Sequence, residues 1–129
     1  MVFRLAEQYL IRAEAYAMKK DYTKAGKDIS TLRSARYSSY GGNTALSESN
    51  ALSVIESERV KELYMEGFRL NDLKRWHKGF SRKVSDQPAA NFVQSSLKVE
   101  KDDPLFVWPI PQHELEAPGS EIEPNESNK

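Results

Sequence analysis

The stretch that most narrows what this chain can fold into runs from Glu58 to Trp76. Glu58, Glu62 and Glu66 recur every four residues, and Arg59 with Glu62, Glu66 with Arg69, Arg69 with Asp72 and Asp72 with Arg75 put opposite charges three residues apart. That spacing puts partners on successive turns of a helix, whereas a strand alternates faces every second residue. Leu63, Leu70 and Leu73 run beside the charges, with Leu52 and Ile55 upstream. The pattern therefore predicts one long helix from about Ser49 toward Trp76, with Gly67 marking a kink or a close approach. Acids and arginines next to an apolar stripe imply partly buried, hydrogen-bonded pairs that fix helix registry. Arg59, Glu62, Glu66, Arg69 and Asp72 are expected to form such an ion-pair lattice, so that Arg69→Met lowers stability.

Upstream, apolar positions recur at helical spacing from Phe3 to Lys19, with Leu5, Tyr9, Ala13, Tyr16 and Ala17 on the face expected to be buried. Asp21 reads as the N-cap of a second helix over residues 22–36, burying Tyr22, Ala25, Ile29 and Leu32. Gly26 inside it costs about 1 kcal/mol relative to alanine, so tertiary packing must hold this helix. Tyr9, Ala13, Tyr16, Ala25 and Ile29 fall on the tetratricopeptide pattern, in which small residues let two antiparallel helices approach closely. An ordinary amphipathic helical hairpin is the plainer alternative. One such hairpin cannot cover both its faces; the third helix is expected to cover one, leaving apolar surface for self-association or a complementing chain.

Between residues 37 and 50 a Ser/Gly cluster that includes Gly41-Gly42-Asn43 forms a loop. Past Lys78 the sequence turns polar, with weak alternation at Asn91-Phe92-Val93 and Leu97-Lys98-Val99 that suits a short strand or nothing regular. Asp103-Pro104 opens the apolar run to Pro111, whose Pro109 and Pro111 enforce an extended strap across helices. Gln112 to Glu116 adds a helical turn, and residues 117–129 read as a mobile tail. The expected architecture is all-α: a tetratricopeptide-like hairpin, a long charged helix and an extended proline-rich C-terminal segment, with residues 1–116 as the helical region.

Composition removes several functions. Lys+Arg and Asp+Glu are each 19, giving no global bias toward nucleic acid or an anionic membrane. The absence of cysteine excludes disulfides, thiolate metal sites and a lipidated cysteine within this stretch. The basic, aromatic run from Lys74 to Lys83 resembles a nucleic-acid surface, but the balanced charge elsewhere argues against that. His77 and His113 are the only histidines, too far apart in sequence for a helical metal motif. No phosphate loop or nucleophile elbow occurs, so no catalytic residue, metal ligand or cofactor is expected. Trp76 and Trp108 are expected to pack in the core; Tyr37 and Tyr40, in the Ser/Gly loop, are the weak candidates for ligand contact. Asn125-Glu126-Ser127 is a glycosylation sequon in form only.

Three motifs carry a resemblance. Glu58-Arg59, Glu62-Leu63, Glu66-Gly67, Arg69, Asp72-Leu73 and Arg75-Trp76 are similar to the C-terminal signature of the SusD/RagB family. Arg4-Leu5-Ala6-Glu7, Tyr9-Leu10 and Ala13-Glu14-Ala15 resemble its opening helix, and Trp108-Pro109-Ile110-Pro111-Gln112 with Glu114 its closing motif. Lys20 departs from a frequent glycine, Phe68 from a frequent histidine, and the tail keeps only an echo of the usual ending. The resemblance implies a non-enzymatic lipoprotein on the outer-membrane surface, which captures oligosaccharides or peptides and passes them to a SusC-like TonB-dependent transporter. It also implies that this chain is a C-terminal piece of a several-fold longer protein with an upstream lipid anchor. Glu58, Arg59, Glu62, Glu66, Gly67, Arg69, Asp72, Arg75, Trp76, Pro109 and Pro111 form its structural signature, and no ligand contact carries over. The rival reading is a soluble helical-repeat module that binds another protein.

Overall fold

The structure is a computed structural model that describes residues 4–82 and 98–128. Among the described residues the fold is all-α apart from one pair of two-residue strands, and the chain divides into two units, Met1–Arg69 and Leu70–Lys129. In the first unit, helix α1 (Leu5–Met18) is followed by α2 (Tyr22–Arg36) and, after a loop, by α3 (Ala51–Glu62). Asp21 caps α2 as its sequence position predicts, accepting a hydrogen bond from the Lys24 N–H at 3.1 Å.

Ala6, Leu10, Ala13 and Ala17 of α1, Ala25, Ile29 and Leu32 of α2, and Ala51 and Ile55 of α3 form one core cluster. Ala13 and Ala25 are both 0% exposed, consistent with close backbone approach across the hairpin. Ala13 and Ala17 of the expected α1 face are buried, but Ala6 and Leu10 take the places expected for Leu5 and Tyr9. Leu5 is 74% exposed, while Tyr9 and Tyr16 are half-buried. The alanines at positions 6, 13 and 17 admit neighbouring helices where tyrosines would not fit. The displaced rings carry cations on their faces: Arg12 over Tyr9 at 5.2 Å and Lys24 over Tyr16 at 5.5 Å.

The turn from α1 to α2 explains the departure at Lys20. The Lys20 N–H reaches the Ala17 carbonyl and the Asp21 N–H the Tyr16 carbonyl, both at 2.9 Å. This double bond pattern closes a helix with a left-handed residue, and Lys20 has φ 61°. Its ammonium meets Glu48 at 3.2 Å with both side chains largely in water, a pair of little worth. Lys20→Gly is therefore expected to raise unfolding free energy by about 0.5–1 kcal/mol. A denaturant titration showing a loss instead would mean that the lysine side chain outweighs the backbone.

The long charged helix is corrected to two. α3 ends at Glu62, residues 63–67 form a turn, and α4 (Phe68–Arg75) begins beyond it. The break is a matter of backbone handedness: Met65 (φ 60°) and Gly67 (φ 81°) both leave right-handed helical space. Of the apolar face expected along this run, Ile55, Leu63 and Leu73 are buried, whereas Leu52 and Leu70 are 45% and 39% exposed.

In the second unit α4 closes at its C-terminus on left-handed His77 (φ 51°), with Lys78 N–H bonded to the Leu73 carbonyl at 2.9 Å. Strand β1 (Phe80–Ser81) pairs antiparallel with β2 (Lys98–Val99), Phe80 opposite Val99. The expected alternation at Asn91-Phe92-Val93 lies outside the described residues. Leu73, Val99 and Phe106 form a small core, with Phe80 edge-on to Phe106 at 6.4 Å. Phe106 belongs to a 3-10 turn over Pro104–Phe106, after which Val107 resumes an extended backbone; α5 (Gln112–Leu115) supplies the expected helical turn.

Candidate functional site

The signature acids and arginines are distributed over both units, and several of them pair with residues outside the signature. Arg33 of α2 donates to Glu58 at 2.9 Å, and Lys61 reaches the same oxygen at 3.1 Å. Arg36, one turn further along α2, holds Glu62 with both fork nitrogens, at 2.9 and 2.6 Å. Arg4, just ahead of α1, also grips the Glu62 carboxylate, bonds Glu66, and donates to the Glu62 main-chain carbonyl at 3.2 Å. A guanidinium at that carbonyl suits the negative end of the α3 dipole. Three helices thus meet at Glu62, whose side chain is 8% exposed.

Arg59 is buried at 5% exposure. Arg69 pairs with Glu56 at 3.0 Å, and Asp72 with Arg75 at 3.0 Å. Beside the lattice expected among Arg59, Glu62, Glu66, Arg69 and Asp72, the acids of this run are bonded to Arg4, Arg33 and Arg36. Arg33 and Arg36 stand three apart in the last turn of α2, facing acids four apart on α3; that matched spacing is the signal in the sequence. A further pair with no such signal joins the hairpin, where Arg12 holds buried Asp28 bidentately at 2.8 and 2.7 Å.

The hydrogen bonds from Arg36 hold the Glu62 carboxyl below the usual carboxylate range; burial opposes them, and the charges of Arg36 and Arg4 add to them. A depressed carboxyl contributes stability that is complete above its unfolded value, near 4.3, and vanishes as pH falls through the folded value. Glu62→Gln is expected to cost about 1–2 kcal/mol at pH 7, since both arginine partners are part-exposed. The gap between the two proteins should narrow as the pH drops below about 4.3. Urea titrations across that range check this; a gap independent of pH would remove the charge from the explanation.

Tyr37 follows α2 at 45% exposure. Tyr40 is half-buried, its hydroxyl donating to Ser30 at 3.2 Å and bonded to Thr44. Burial alone would raise the Tyr40 phenol, but its hydrogen bonds to Ser30 and Thr44 and the Arg33 charge carry it below the ordinary tyrosine value. Tyr40 thus fastens the loop to α2, and neither tyrosine lines the cleft between α2 and that loop.

In the second unit Trp76 is half-buried with the Arg75 guanidinium 4.4 Å from its ring centre. Gly67, Pro109 and Pro111 are exposed. The core position expected for Trp108 is corrected, since its side chain is 82% exposed and Phe106 fills the core instead. What fixes the Trp108–Ile110 segment is the tail. The Asn125 amide donates to the Trp108 carbonyl at 3.0 Å, and the Asn128 amide brackets Ile110, accepting from its N–H at 2.9 Å and donating to its carbonyl at 2.8 Å. These two side chains link residues 125–128 to the Trp108–Ile110 segment.

His77 meets Asp102 at 2.6 Å on an exposed surface, and His113 lies beside Glu114 at 3.2 Å. Among the described residues no three His, Asp or Glu side chains gather as a metal site would need, and no helix is long and apolar enough to cross a membrane. No curated protein and no solved structure matches the chain at a significant level. The sequence model of the SusD family matches residues 1–123, spanning the opening helix, the charged run and the Trp-Pro-Ile-Pro segment, and the chain belongs to that family.

Proposed function

We propose that this chain is the C-terminal scaffold of a surface nutrient-binding protein, one that captures an oligosaccharide or peptide and delivers it to a SusC-like TonB-dependent transporter in the outer membrane. The observation that carries this reading is the family match over residues 1–123. The geometry supports a scaffold role in particular. Glu58, Glu62 and Glu66 are engaged by Arg33, Arg36 and Arg4, which tie α3 and the turn after it to α2 and to the start of α1, and this is work of positioning. In this reading the full-length protein is a lipid-anchored binding component and not an enzyme.

The outward face of α1 favours a second, soluble reading as a protein-interaction module, because Leu5, Ile11 and Met18 are 74%, 47% and 66% exposed. Isolation of the full-length protein from its native host separates the two. The nutrient-binding reading expects it in the outer-membrane fraction, co-purifying with a TonB-dependent transporter and retarded in gels containing a host-accessible glycan or binding peptides. Recovery from the soluble fraction with soluble partners alone would sink that reading.

A further inference from the structure

The loop after α2 folds back on that helix and leaves a cleft of about 400 Å³, within the roughly 300–1,000 Å³ range of small-molecule sites. Tyr22, Thr23 and Lys27 line it from the helix, and Asn43, Ala45 and Leu46 from the loop. Its shape is held by groups just beneath. The Ser30 hydroxyl donates to the Gly26 carbonyl at 2.8 Å and accepts from the Thr44 N–H at 2.9 Å, while Tyr40 bonds both Ser30 and Thr44. Arg33 adds a bond to the Thr44 hydroxyl at 3.3 Å. Ser30 and Thr44 thus have their hydroxyls committed to the fold.

The remaining polar groups of the lining are not committed. The Tyr22 hydroxyl and the side chains of Thr23, Lys27 and Asn43 are engaged by no other side chain or backbone group among the described residues. Along residues 41–46 the Thr44 N–H is the one backbone amide with an intramolecular acceptor among the described residues. A wholly apolar guest would strand these donors and acceptors, at a cost for each. Lys27 is the only charged residue of the lining, so a cationic guest is disfavoured as well. A compact ring with one apolar face and several hydroxyls meets both conditions: it covers the Tyr22 ring and Leu46 while exchanging bound water for hydrogen bonds.

We propose that this cleft is a saccharide subsite that takes one pyranose ring of a longer glycan. The ligand class rests on the nutrient-capture reading above; the location rests on the cleft itself. The test is titration of the isotope-labelled 129-residue chain with maltotriose, with trigalacturonate and, as a control, with trialanine, followed by amide chemical shifts. Either sugar is expected to move amides clustered at residues 22–27 and 42–46. The double variant Thr23→Ala with Asn43→Ala is expected to weaken binding about tenfold or more, each lost hydrogen bond being worth ~1 kcal/mol. Both residues are exposed and hold no part of the loop, so an unchanged melting curve is expected. No shift with either sugar, shifts elsewhere, response to trialanine alone, or undiminished binding by the double variant would each overturn the subsite. Glycan capture by the full-length protein would still stand in those cases, with its ligand placed outside this cleft.

Discussion

Ile55→Ala is expected to lower the unfolding free energy by about 2–5 kcal/mol, whereas Leu52→Ala on the same helix should cost under about 0.5 kcal/mol. Both residues look equally apolar in sequence, and the difference lies in what surrounds them. Ile55 is 0% exposed and belongs to the cluster that unites α1, α2 and α3; Leu52 is 45% exposed. Truncating Ile55 removes its transfer energy and leaves a cavity that the alanine-rich crossing of α1 and α2 cannot close, because little side chain is there to move in. The loss compounds with the ion pairs: α3 presents Glu58 to Arg33 and Glu62 to Arg36, and these bonds form only while α3 is docked. Urea unfolding of the two variants beside the parent measures the contrast. Equal, small losses for both would mean that α3 does not seal the hairpin and that the core described for the first unit is wrong.

Elements governed by near neighbours were legible in the sequence; those set by distant partners or backbone handedness were not. Asp21 announces α2 because a cap acts within three residues, and Ala13 with Ala25 announces the hairpin because small residues mark a close crossing. Two positions on the face of α1 were read one residue off. Periodicity finds an apolar arc, and here the arc is wide enough to include both the Leu5, Tyr9, Tyr16 edge and the Ala6, Leu10 edge on either side of Ala13 and Ala17; packing against two other helices chose the second. The break between α3 and α4 was hidden because helical charge spacing continues across Leu63–Gly67 while Met65 and Gly67 turn left-handed. Gly67 hinted at it, and Met65 gave no sign. Likewise the regular acids at 58, 62 and 66 show that a charged face exists, yet spacing within one segment cannot name Arg4, Arg33 and Arg36 as the partners. Trp108 misled because size and apolarity favour burial, while the nearby Phe106 took the available core position.

Gly26→Ala puts two opposite effects in competition at one atom. In an isolated helix the change stabilises by about 1 kcal/mol, because glycine has more backbone freedom to lose. In this fold α2 is covered at that point by the returning loop: a Cβ built on Gly26 would stand 2.4 Å from the Thr44 carbonyl oxygen and 3.6 Å from its carbon. The first distance is far inside van der Waals contact, and the obstacle is main chain, which cannot swing aside as a side-chain tip would. Nor can the loop drift outward freely, since Thr44 is fastened through its N–H to Ser30 and through its hydroxyl to Tyr40 and Arg33. The substitution must therefore strain the helix or break that lock, and overpacking of this kind costs typically about 1–3 kcal/mol, more than the propensity gained. A net loss of stability is expected, with Tyr40 fluorescence and the amides of residues 42–46 shifting as the loop lifts. Tyr40→Phe in the Gly26→Ala background should then cost less than Tyr40→Phe alone, because the bonds it removes are already weakened. A gain in stability on Gly26→Ala would show that the loop does not rest on α2, and with it the cleft between Tyr22 and Asn43 would lose its outer wall.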